Sequence, residues 1–254
     1  MSTGVLVRVA AAPPPPPPPP SQDDLTGVAL DASGRPIANA IVQVQMVWNP
    51  NVVRTRTGAD GRYAVRGLPA GLSHKVIAWH EVSFAGRSYC VRLGMPNVGD
   101  YDAFVPGAGV VRDFRWKLTG RIPDAGNNYF GATLVLVPAT NFYDPVLEHG
   151  DDVELTLVPQ GPLVDGSAGE VITRTVRYNT AGWNSRLEDI PHGVYTARVT
   201  RVRGGVRTAL RVARLDNGTP GATATVDWEP DHQGSCGQVL GPDLRTFSLR
   251  LENP

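Results

Sequence analysis

The chain has 254 residues, with 24 basic and 24 acidic side chains for a formal net charge of zero, and 41% of its residues are hydrophobic. That length accommodates two domains with cores of their own. Zero net charge argues against a dedicated nucleic-acid binder, which carries a basic excess on one face, and no apolar run approaches the roughly 20 residues of a membrane helix.

Glycine (28) and proline (23) are abundant, which favours turn-rich β-structure, and no long segment shows a 3.6-residue apolar period. Met1–Ala12 carries Val5-Leu6-Val7-Arg8-Val9, a short strand with no partner nearby in sequence. Val5, Leu6, Val7 and Val9 are therefore candidate contacts through which the segment adds as a strand to another protein. One arginine and a brief apolar stretch do not make a signal peptide, so synthesis in the cytoplasm is the expectation. Pro13–Pro20 is eight consecutive prolines, expected to form a polyproline II rod of about 25 Å, and residues 13–24 read as a linker.

From Leu25 the chain alternates apolar and polar residues in short runs: Gly27–Leu30, Ala40–Val47, Val53–Thr57, Tyr63–Val65 and His74–Trp79. Between them stand Asp31-Ala32-Ser33-Gly34-Arg35-Pro36, Ala59-Asp60-Gly61 and Gly67-Leu68-Pro69-Ala70-Gly71. Period-two runs punctuated in this way predict a β-sandwich. Asp60-Gly61 suits a tight hairpin, Pro69 and Gly71 end a strand, and Ile41, Val65, Leu68, Val76 and Ile77 are core candidates.

The order of strand, D-x-x-G-x-P-I turn, strand, T-x-x-D-G-x-Y and x-G-L-P-A-G, closed by Val110–Leu118, resembles the carboxypeptidase regulatory-like domain of the transthyretin (prealbumin-like) superfamily. The resemblance covers residues 25–118 and implies a seven-stranded sandwich. It departs at Leu72-Ser73-His74, where an aromatic residue is usual, and at Phe84–Pro106, which is longer and more irregular than such a sandwich requires.

Residues 119–254 echo the first half. Leu187–Val194 parallels Val65–Leu72, and Arg245–Leu251 parallels Arg112–Leu118. Ile190 lies 122 residues beyond Leu68 and Phe247 lies 133 beyond Phe114, so the second copy has gained about eleven residues between these landmarks. Val153–Val158, Val171–Tyr178, Tyr195–Val202 and Arg207–Leu215 alternate as strands between and around them. The expected fold is all-β: two tandem antiparallel β-sandwiches, the second diverged, preceded by the linker and the N-terminal strand.

Chemistry is sparse. Relatives of the superfamily that are enzymes carry a Tyr-Arg-Gly-Ser tail or an iron site of two tyrosines and two histidines; this chain ends Leu251-Glu252-Asn253-Pro254, and its five histidines are not spaced for that site. No Walker loop, dinucleotide fingerprint or G-x-S-x-G elbow occurs. Glu148–Asp152 reads as a solvated acidic loop, with hard-cation binding as the rival. The arginines between Arg198 and Arg214 read as a solvated hairpin face, with an acidic partner as the rival. Cys90 and Cys236 read as two buried thiols, or one buried and one idle, because a bond between them would have to join the two halves of the chain. His232 precedes Cys236 without a third orienting group. No metal or cofactor is expected.

Aromatic loop residues are the remaining binding candidates: Tyr129 and Phe130 after Asn127-Asn128, and Phe142 and Tyr143 after Asn141. The sequence thus points to a non-catalytic structural or adaptor protein that docks through its N-terminal segment, as in a phage-tail-like or contractile injection particle. A carbohydrate- or cell-surface-binding module is the alternative, followed by a divergent enzyme of the prealbumin-like branch.

Overall fold

A computed structural model describes residues 25–49, 52–106, 109–140, 143–179, 185–231, 236 and 241–254. The expected strand at Val5–Val9, the proline linker, Phe142 and His232 lie outside these residues. The chain is all-β, with two sandwiches in tandem.

The first sandwich holds β1 (Leu25–Leu30), β2 (Ile41–Met46), β3 (Val52–Arg56), β4 (Arg62–Val65), β5 (His74–Phe84), β6 (Arg87–Leu93), β7 (Val110–Val111) and β8 (Phe114–Arg115). One sheet has the order β3-β2-β5-β6; in the other, β1 lies between β4 and the paired β7 and β8. β1 runs antiparallel to β4 and parallel to β7 and β8, with Ala29 opposite Phe114. Gly27 is required where these strands meet. A Cβ there would lie 1.9 Å from the Arg112 carbonyl oxygen, and no rotamer relieves a clash with backbone.

The second sandwich holds β9 (Ala132–Pro138), β10 (Asp152–Pro159), β11 (Ile172–Arg177), β12 (Arg186–Ile190), β13 (Val194–Arg203), β14 (Val206–Ala209), β15 (Arg211–Arg214), β16 (Ala224–Asp227) and β17 (Phe247–Glu252). Its sheets, β11-β10-β13-β14 and β12-β9-β17-β15, repeat the first arrangement. β9 takes the place of β1, antiparallel to β12 and parallel to β17. β15 and β16 are the additions, and they fall between the two landmarks where the sequence had lengthened.

Alternation explains both cores. Val42, Val44, Val76 and Ala78 face Leu25, Ala29, Val65 and Phe114; in the second sandwich Leu134, Leu136 and Leu249 face Leu155, Leu157 and Ala197. Each large apolar side chain so buried contributes roughly 1.5–3 kcal/mol. Val65, Leu68 and Val76 belong to the first core as expected. Ile41 and Ile77 do not: one-residue offsets from Val42 and Val76 turn them to the outer face of the sheet, where they pack around Trp79.

The stretch after Phe84 is also more regular than its sequence suggests. β5 continues to Phe84, turns through Ala85 and Gly86 at φ 47° and 76°, and returns as β6 in register from Phe84–Arg87 to Ala78–Leu93. Positive φ at both turn residues matches the twist of a two-residue hairpin. The alternation is hidden because Tyr89–Leu93 is buried on both faces.

Candidate functional site

The long hairpin of β5 and β6 carries the first sandwich into the second. Near its tip, the Arg87 guanidinium donates to Asp227 at 2.9 Å, and Arg214 shares that carboxylate at 3.2 Å. The Tyr89 hydroxyl donates to the Trp228 carbonyl at 2.7 Å, and the Cys90 amide donates to the Asp243 carboxylate at 2.7 Å. Asp227 and Trp228 lie on and just after β16, one of the two added strands.

Cys90 and Cys236 are joined in a disulfide. This corrects the expectation of two separate thiols. The two halves of the chain do meet here, and Cys236 is set against Trp79, Ile77 and Ile41 on the outer face of the first sandwich. Trp79 is completely buried by this cover. Farther along the same face, Arg92 is buried and pairs with Asp124 of the connecting segment at 2.6 Å.

Two residues complete the junction, Asp189 near the end of β12 and His192 in the turn that follows it. Asp189 has φ 60°, in the left-handed region that favours glycine, and it stands where Gly67, at φ 71°, stands in the first copy. Its carboxylate accepts the amides of Gly120 at 2.8 Å and Gly131 at 3.2 Å, tying the connecting segment to the second sandwich. His192 is buried with its ring against Tyr89, at 4.5 Å between centroids, and Phe84, at 5.2 Å. Burial pushes the imidazole down to about 4, so the ring is neutral at ordinary pH.

The predicted aromatic contacts separate. Tyr143 is fully exposed, at 101% of its reference area, whereas Tyr129 is half-buried. Phe130 corrects its expectation. It is buried in the first core beside Ile122, with its ring end packed on Gly94 and its face beneath Lys117, so packing of the first sandwich runs past Leu118. Phe142, Val5, Leu6, Val7 and Val9 lie outside the described residues.

The acidic loop is structural. Asp151 is buried; burial raises its carboxyl, but two hydrogen bonds from Arg203, at 2.9 and 2.7 Å, outweigh this and hold it below the usual range. Glu148 pairs with the same arginine at 2.8 Å. Several arginines of the basic run are likewise engaged within the second sandwich: Arg201 with the Val146 carbonyl, Arg207 with Glu154 and Arg214 with Glu229. Charge offered by this face to an acidic partner is correspondingly reduced. Among the described residues, the group of His, Cys, Asp or Glu side chains close enough to share an ion is Glu81, Cys90 and Cys236.

Residues 24–88 match the carboxypeptidase regulatory-like domain. No curated protein matches the chain. Solved structures to which the chain shows a likeness include the Bacillus anthracis TIE protein (14% identity, TM-score 0.29, covering 80% of this chain and 31% of that one) and a streptococcal ancillary pilin (11%, 0.26, 89% and 61%). A C-terminal fragment of the pilus adhesin SpaC from Lactobacillus rhamnosus GG is similar at 13% identity and TM-score 0.27, covering 92% of this chain and 97% of that one. The chain spans about a third of the first protein and three-fifths of the second.

The junction was the feature least visible in sequence. Its signals were the eleven-residue gain in the second copy and an aspartate at the position where the first copy has glycine.

Proposed function

We propose that the chain is a non-catalytic structural adaptor, in which two β-sandwiches locked end to end act as one stiff projection and the N-terminal segment Val5–Val9 docks it, through the proline linker, onto a larger assembly. A phage-tail-like or contractile injection particle assembled in the cytoplasm suits this form. The reading is carried by the junction: a disulfide, an ion-pair cluster and two backbone-directed hydrogen bonds tie the hairpin of the first sandwich to the second. A simple string of beads needs none of these, since domains in one chain move relative to one another by default unless their interface is large and apolar.

The test uses the full chain in its native cells. Sedimentation should place it in a large particle, and deleting Met1–Pro20 should release it as a small soluble species. A full-length chain that sediments as a lone monomer, or a deletion that changes nothing, refutes the docking role. The exposure of Tyr143 favours a second reading, a surface-glycan-binding module. For that, a glycan array should give a hit that Tyr143→Ala abolishes.

A further inference from the structure

Glu81, Cys90 and Cys236 are brought together from three directions. Glu81 on β5 stands directly across from Cys90 on β6, and Cys236 arrives from the second sandwich. The two sulfurs are bonded to each other, and one Glu81 carboxylate oxygen lies within 4.8 Å of both. Ligand atoms around a tetrahedral zinc ion stand roughly 3.5–4 Å apart, so once the bond is open the sulfurs reach ligand spacing by rotating apart, with the carboxylate already close. Both cysteines are buried against Trp79, while the Glu81 side chain is 46% exposed, which gives the site an apolar floor and an open, acidic mouth. The Asp243 carboxylate, accepting the Cys90 amide, fixes the backbone of one ligand from outside the first ring of donors.

We propose that, once a dithiol reductant has opened the Cys90–Cys236 bond, these three side chains form a zinc site with one position left for water. The reductant supplies two electrons and two protons, itself closing to a cyclic disulfide, and leaves two thiols. Zinc then displaces both thiol protons to solvent and binds two thiolates and the carboxylate. Thiolate pairs select zinc over the hard cations, for which a single carboxylate offers too little. The ion pair between Arg56 and Glu81, 3.1 Å long and exposed on both sides, is weak and does not withhold the carboxylate. Because Cys236 belongs to the other sandwich, the metal holds the same junction closed in a reducing compartment that the disulfide holds closed in an oxidising one.

The experiment adds zinc alone to the full chain before and after reduction, followed by desalting and elemental analysis. Expected are no zinc on the oxidised chain and one zinc per reduced chain. Cobalt substitution should give the intense thiolate-to-metal absorption of two sulfur ligands. Cys236→Ser should abolish uptake, and Glu81→Gln should weaken it roughly tenfold or more. A reduced chain that takes up no more zinc than the Cys90→Ser/Cys236→Ser double variant overturns the proposal, as does wild-type affinity in Glu81→Gln. Loss of folded structure on reduction, read by circular dichroism, also overturns it, since the three ligands meet only in the docked arrangement. None of these results bears on whether Met1–Pro20 docks the chain to a particle.

Discussion

His192 makes the junction acid-sensitive by an amount that can be worked out. Its imidazole is held at about 4 by burial between Phe84 and Tyr89, against 6.5 in an exposed state. Below pH 6.5 the opened or unfolded chain takes up a proton that the docked chain refuses, so stability is full above pH 6.5 and falls as pH falls towards 4. Linkage gives a loss of about 2 kcal/mol by about pH 5 and about 3 kcal/mol by about pH 4. His192→Phe is the informative change. The ring fills the same aromatic slot, the buried Nε2 has no partner to lose, and nothing remains to titrate. Urea unfolding of both proteins, with the disulfide intact, should show the difference between variant and wild type growing in favour of the variant by about 2 kcal/mol from about pH 7.5 to about pH 5. Other groups that titrate in this range are common to both proteins and cancel. Parallel pH profiles would show that the ring is not desolvated by docking, and the reasoning would be refuted.

Replacing both cysteines by serine should lower the stability by up to about 5 kcal/mol, because the bond closes residues 146 apart, yet leave the scattering-derived radius of gyration nearly unchanged. Asp189→Ala should cost about 2–4 kcal/mol in urea unfolding, through the amides of Gly120 and Gly131 and the left-handed backbone; Asp189→Asn, which keeps an acceptor and tolerates that backbone, should cost less. Gly27→Ala should destabilise the first sandwich by about 3 kcal/mol or more, since the new Cβ meets backbone at Arg112; wild-type stability there would refute the close approach of β1 and β7.

Much of the fold was legible because it is written in local chemistry. The Gly-Leu-Pro-Ala-Gly stop and the alternation of β2 and β10 each depend on a few adjacent residues, and each lies where the sequence puts it; the Asp60-Gly61 turn is also in place, but it leads from β3 in one sheet to β4 in the other and so is not the hairpin expected. The repeat was readable for the same reason: Gly67 and Asp189 share a backbone conformation, and Phe114 and Phe247 each lie on the strand parallel to the first strand of their sandwich. Illegible were the features made by distant segments. β6 lost its period because the second sandwich covers its outer side. Ile77 was assigned to the core because alternation says which residues share a face, while the face itself depends on what covers the sheet. Phe130 looked like a loop aromatic because its burial comes from Gly94 and Lys117, far back in the chain.

The junction does not depend on the disulfide alone. A tryptophan buries about 150–250 Å², and at about 25 cal/mol per Å² the complete burial of Trp79 is worth about 4–6 kcal/mol as an upper bound. Only part of that cover comes from the second half of the chain, because Trp79 packs with Cys236 as well as with Cys90, Ile41 and Ile77 of its own sandwich. To this are added the Tyr89 and Cys90 hydrogen bonds, at about 1 kcal/mol for the neutral one and about 1.5–3 for the one to a carboxylate. These terms together are of the same order as the contribution of the disulfide, up to about 5 kcal/mol for its long loop. Asp227, Trp228 and Asp243 therefore still have bonds to the hairpin when the disulfide is open, and the proposed metal site depends on their keeping them.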